Sequence, residues 1–133
     1  MEPPPGSNSI VVSVPQKMVF VVNTALKMGP GKMAAQVGHA AIDVYKLALL
    51  SEEGRRAVEN WERHGQTKIV LRSDGGVDKL TELFRHAQQM GLAAGLIHDE
   101  GRTQVPPGSC TILGIFGSCA EVNKVTGHLR LHK

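Results

Sequence analysis

At 133 residues, with 41% hydrophobic and 20% charged side chains, the chain is long enough for one domain with its own core and too short for two. A formal net charge of +3 admits a polyanionic partner without demanding one, and two cysteines, Cys110 and Cys119, are too few for a disulfide framework. Both read as buried thiols, and a reducing, cytoplasmic setting is the simpler inference.

The opening MEPPPGSNSI is rich in Pro, Gly and Ser and has neither the basic start nor the apolar centre of a targeting peptide. Residues 1–16 are expected to be a disordered tail, with the folded domain over 17–133. No apolar run approaches the roughly 20 residues that cross a bilayer, so no membrane association is expected.

From Lys17 short β-rich runs alternate with longer helical ones, and KMVFVVN, TKIVLRS, AAGLIH and CTILGIF are four candidate strands. The first is almost wholly apolar. That pattern suits a strand buried on both faces, as in a mainly parallel sheet covered by helices, so the predicted fold is a single three-layer α/β domain. Between the first two strands, Met33, Val37, Ala40, Val44 and Leu47 recur at helical spacing and mark the apolar face of an amphipathic helix. SEEGRRAVENWERHG predicts a second helix, capped by Ser51 and stopped at Gly65, with Trp61 turned inward. Asp74 to Gly91 predicts a third.

The first helix is preceded by a turn holding Lys27, Gly29, Gly31 and Lys32. A nucleotide phosphate loop, G-x-x-x-x-G-K-[ST], needs a hydroxyl after the lysine to ligate magnesium, and Met33 stands there instead. What remains is a glycine-bearing helix start, where free backbone N–H groups and the helix dipole favour an anion. Lys32 in the first turn is expected to contribute little to packing. Lys32, Gln36, His39 and Asp43 share one polar stripe of this helix. It is either an ordinary solvated face, with His39 and Asp43 as a surface pair, or a functional face set among alanines and glycines that let another surface approach.

The second polar group is HDEGRTQVPPGSCT, from His98 to Thr111. Asp99, Glu100, Arg102, Thr103 and Gln104, stiffened by Pro106 and Pro107, are chemically dense for a connection that starts at a strand's carboxyl end. In open α/β sheets ligands bind at such ends beside helix amino termini, which brings this loop and the Lys32 turn to one crevice. The alternative is that Asp99 and Thr103 make only local turn hydrogen bonds.

Taken in order, LKMGPGKMAAQVGHAA, GQTKIVLRS, HDEGRTQVPPGS, TILGI and KVTGHLRL resemble the second-class peptidyl-tRNA hydrolases, the archaeal and eukaryotic type, over most of Met18 to Lys133. The resemblance implies a mixed four-stranded sheet with helices on both sides. It also implies cleavage of the ester between a peptide and the terminal ribose of tRNA, so that peptidyl-tRNA, held by its phosphates and 3′ end, is the expected partner. A homodimer is admitted but not specified.

Position by position, the resemblance implies catalytic roles for Lys32, Asp99, Thr103 and Thr111, and substrate contacts for Lys27, Gln36, His39 and Arg102. Ester hydrolysis needs an oriented water and stabilisation of a developing oxyanion. Asp99 would orient or deprotonate the water, Lys32 would meet the oxyanion or a phosphate, and Thr103 and Thr111 would hold water or peptide by hydrogen bonds. No Ser-His-Asp or Cys-His arrangement is visible, and scattered Cys and His residues lack ligand spacing, so direct attack by water is expected, with no metal and no cofactor.

The chain departs from the family pattern at three places. R-x-D-L-K-M-G reads Asn23, Thr24, Ala25 before Leu26; Pro30 replaces the first lysine of K-G-K; and Phe116 and Gly117 follow Ile115 where G-I-G-P is usual. These changes remove two cations from the anion-binding surface and an aspartate that organises the loop. A binding module without turnover, or a hydrolase of another acyl ester, are the competing readings.

Overall fold

The computed structural model describes residues 14–100, 106 and 108–133. Residues 1–13 of the expected tail lie outside that range, as do Arg102 and Thr103. Five strands and four helices follow in the order β1 (Gln16–Asn23), α1 (Pro30–Ala48), α2 (Glu52–Arg63), β2 (Lys68–Ser73), α3 (Gly76–Gln89), β3 (Ala93–His98), β4 (Cys110–Ser118), α4 (Cys119–Thr126) and β5 (Arg130–Leu131).

The strands form one mixed sheet in the order β3-β4-β1-β2-β5. Alternate residues of β1 serve opposite layers. Met18, Phe20 and Val22 enter a core with Ala40, Val44, Val58 and Trp61 of α1 and α2, whereas Val19 and Val21 join Leu80, Leu83, Val122 and Val125 of α3 and α4. The expected α/β three-layer arrangement is present.

Two details differ from expectation. A fifth strand, β5, pairs with the edge of β2, and parallel pairing is confined to β1 with β2, because β4 runs antiparallel to both β1 and β3. An apolar run reports cover on both faces, not strand direction: β4 is buried from Cys110 to Gly117 although both its neighbours are antiparallel.

Ser51 caps α2 by accepting from the Gly54 N–H at 2.9 Å, Gly65 ends the segment at φ +94°, and Trp61 is buried, as the spacing predicts. The third predicted helix is shorter than Asp74 to Gly91. Asp74 pairs with Arg72 at 3.1 Å and accepts from the Thr24 hydroxyl instead of starting α3, and Gly91 takes a positive φ beyond the helix end. The unpredicted α4 begins with Ser118, which accepts from the Glu121 N–H at 3.2 Å and donates to its carboxylate at 3.0 Å. This N-cap was legible as S-x-x-E.

Seating of α1 sets the position of the candidate site. Gly95 and Gly114 stand side by side across β3 and β4, and a Cβ on Gly114 would come within 2.7 Å of Val44 and 3.5 Å of Ala40. The two missing side chains leave a depression in which α1 lies close to the sheet. Ala40, Val44 and Ala48, four residues apart, form the buried row, while Leu47, expected inward, is 41% exposed because it sits one position out of that row.

Candidate active site

The carboxyl ends of β1 and β3, the start of β4 and the start of α1 meet at one edge of the sheet. Extending the buried row of α1 back by four residues gives Gln36, then Lys32, so these side chains face the sheet where it ends. His39 and Asp43 lie on the neighbouring row, more than 40% exposed, and pair only with each other at 3.6 Å. The polar stripe is therefore split into two site-facing residues and a surface pair.

The Lys32 ammonium forms an ion pair with the Asp99 carboxylate, and their side chains are 9% and 3% exposed. Lys32 is thus not the lightly packed first-turn residue that its position suggests. Asp99 is held through its backbone: its N–H donates to the Ser109 carbonyl and its carbonyl accepts from the Gly108 N–H, both at 2.8 Å. The register shift between Ile97 and His98 precedes it, and such irregularities re-aim side chains at a strand end: His98 is exposed and Asp99 buried.

Thr111 is fully buried, and its hydroxyl donates to Gln36 Oε1 at 2.5 Å, with the Ile97 carbonyl 3.3 Å away. Gln36 keeps its amide N–H groups as donors when Oε1 accepts in this way. Lys27 is exposed in the loop before α1. Among the predicted site residues, then, Lys32, Asp99, Gln36 and Thr111 are brought together in two bonded pairs, Lys27 lies exposed in the adjoining loop, His39 turns to solvent, and Arg102 and Thr103 lie outside the described residues.

Asn23 was noted only as a departure, yet it ties the site together. Its Nδ2 donates to the Cys110 carbonyl at 2.9 Å and its Oδ1 accepts from the Ala25 N–H at 3.1 Å, joining the loop before α1 to the first residue of β4. A lone polar residue ending an apolar strand was the available signal. The organising role read as missing with the aspartate is filled from this position. Beside it Cys110 is buried, and burial pushes its thiol pKa up, which keeps the sulfur protonated and unsuited to nucleophilic attack. Cys119, expected to be buried, is only half so because it opens α4 near the surface.

Fold and site define an α/β domain with a nearly buried cation–carboxylate pair at the strand ends of an open sheet. The profile of the family described as peptidyl-tRNA hydrolase PTH2 matches residues 16–132, and the chain belongs to that family. It is 47% identical over 126 residues to a probable peptidyl-tRNA hydrolase 2 of Caenorhabditis elegans, covering 95% of this chain and 40% of that protein. A mouse protein named peptidyl-tRNA hydrolase 2, mitochondrial, is 45% identical across 87% of this chain and 63% of its own length. The peptidyl-tRNA hydrolase of Methanocaldococcus jannaschii is 40% identical across 86% of this chain and 98% of its own length.

The chain therefore spans less than two thirds of the worm and mouse relatives and nearly all of the archaeal one. Among solved structures, a protein of unknown function from Agrobacterium tumefaciens strain C58 superposes with a TM-score of 0.52 at 10% identity, over 89% of this chain and 98% of that one, a likeness of fold alone. No helix among the described residues is long and apolar enough to cross a membrane.

Proposed function

We propose that this domain hydrolyses the ester between peptide and tRNA in peptidyl-tRNA, releasing free tRNA, with water as the nucleophile. The observation that carries this reading is the Lys32–Asp99 pair, nearly closed to solvent and set beside the Gln36–Thr111 hydrogen bond at the strand ends. In such a site fixed charges act more strongly than in water and need no reorganisation during reaction.

Asp99 accepts a proton from the attacking water, a step its backbone anchoring prepares by fixing the carboxylate in place. The Lys32 ammonium stabilises the oxyanion that forms on the ester carbonyl. As the tetrahedral intermediate collapses, the carbon–oxygen bond to the ribose breaks, and the proton from water is delivered to the departing ribose oxygen. Thr111 is too buried to touch substrate; it positions Gln36, whose amide N–H groups are aimed by the bond its oxygen accepts. Thr103 keeps the catalytic role, and Arg102, Lys27 and His39 the substrate contacts, that family resemblance suggests. Two free thiols support a reducing, cytoplasmic setting.

The test is release of free tRNA from purified peptidyl-tRNA by this domain, run beside its Asp99→Asn variant. Turnover lost in the variant supports the reading. Absence of turnover in the unaltered domain, with tRNA still bound, would leave the binding-module reading in its place. Turnover of other acyl esters alone would favour a different hydrolase.

A further inference from the structure

The edge strand β5 places Arg130 directly opposite Arg72 of β2. Residues paired in register project to the same face of the sheet. The neighbouring pair, Leu71 with Leu131, belongs to the α3/α4 side, where Leu71 is buried, so the two arginines project on the α1/α2 side, as does Val70. Like charges directly opposite each other across two strands are destabilising. Arg72 is offset by Asp74 at 3.1 Å, whereas Arg130 makes no ion pair with any described residue. Both are exposed. No ion pair among the described residues offsets the second of these two facing arginines.

The arginines lie where β2 ends and β5 begins, at the same edge of the sheet as the catalytic pair. The Asp74 carboxylate that neutralises Arg72 also accepts from the Thr24 hydroxyl, and the Thr24 N–H donates to the Ser73 carbonyl at 3.0 Å. Thr24 belongs to the loop that carries Lys27 and leads into Lys32. A bonded chain thus runs from Arg72 through Asp74 and Thr24 to the loop beside the reacting centre.

We infer that Arg72 and Arg130 form a docking surface for the phosphodiester backbone of the RNA part of the substrate, a reading that rests on the proposed hydrolase activity. The guanidinium fork matches phosphate oxygens bidentately, and two forks side by side take one or two successive phosphates. This supplies cationic contacts outside the loop before α1, where Asn23 and Pro30 stand in place of an arginine and a lysine. A bound phosphate also relieves the repulsion between the two arginines, so the surface is less stable free than occupied.

The test titrates fluorescently labelled deacylated tRNA with the unaltered domain and with Arg72→Gln, Arg130→Gln and Arg130→Lys, over a salt series, without requiring turnover. Each Gln variant is expected to bind about three- to tenfold more weakly, with a salt slope shallower by about one, while Arg130→Lys keeps most of the slope. The melting temperature of Arg130→Gln without RNA should not fall, because a like-charge contact is removed. On hydrolysis by Arg130→Gln, which lies outside that bonded chain, KM for peptidyl-tRNA should rise with kcat within twofold, and cleavage of a short acyl-aminoacyl adenosine ester should be unchanged. Unchanged affinity and slope in both Gln variants would overturn the inference, as would an equal loss on the short ester. If the unaltered domain cleaves neither substrate, the hydrolase reading fails by itself, and the tRNA titration still decides the role of the arginines.

Discussion

Lys32 and Asp99, 67 residues apart in the chain, pair side chain to side chain with almost no access to solvent. One comes from the first turn of α1 and the other follows the last residue of β3. Removing either partner leaves the other charge buried and uncompensated, which typically costs about 3–5 kcal/mol. Lys32→Ala is therefore expected to lower stability markedly in denaturant unfolding. Lys32→Ala combined with Asp99→Ala should recover part of that loss and none of the activity. Additive losses in the double variant would mean the two groups are not coupled.

Asp99→Asn keeps the size of the side chain and removes its charge. Single-turnover release of tRNA should fall by about two orders of magnitude or more, the range expected when a general base is lost. A folded Asp99→Asn domain with near-normal turnover would rule out this residue as the base.

At Thr111 the hydroxyl and the shape of the side chain can be separated. Thr111→Ser retains the donor to Gln36, whereas Thr111→Val fills the site but leaves Gln36 Oε1 without its 2.5 Å partner. A net hydrogen bond is worth about 1 kcal/mol, so Thr111→Val should reduce kcat roughly five- to tenfold with KM little changed, and Thr111→Ser should restore most of it. Equal loss in both variants would point to packing alone.

Gly114→Ala tests whether the close seating of α1 matters. The added methyl would stand 2.7 Å from Val44, and overpacking of this kind costs about 1–3 kcal/mol. Turnover should drop with it, since Lys32 and Gln36 ride on the displaced helix. Gly31→Ala is the control: a Cβ there meets nothing within 4 Å, and thermal unfolding should show no loss.

Burial raises the Cys110 thiol pKa, so the native state holds that proton more tightly than the unfolded chain does. Its contribution to stability is complete below the unfolded thiol pKa and is lost as pH rises through the folded value. In the native domain at mildly alkaline pH, a thiol reagent should label Cys119 well before Cys110, as read by peptide mass spectrometry. Equal labelling rates would contradict the burial of Cys110.

What the sequence determined by itself is what depends on local order. The apolar strand runs, the Ser51 cap, the Gly65 stop and the inward Trp61 follow from spacing and backbone preference over a few residues, and so does the placing of α1 ahead of the polar loop after β3. The motifs around Lys32 and Asp99 carried the family as well. Strand direction was not legible, because an apolar run reports cover by helices and β4 is covered equally well while antiparallel. β5 was missed because its two residues are exposed and gain their pairing only from β2. The tertiary structure alone decided which half of the polar stripe on α1 faces the strand ends: helical periodicity places Lys32, Gln36, His39 and Asp43 together, but the sheet ends beneath the first two and the glycine depression at Gly95 and Gly114 fixes the helix against it. The Asn23 clamp and the facing arginines Arg72 and Arg130 depend on strand register, and the Lys32–Asp99 pair on the seating of α1 against the sheet; each is a property of two distant chain segments that neither contains alone.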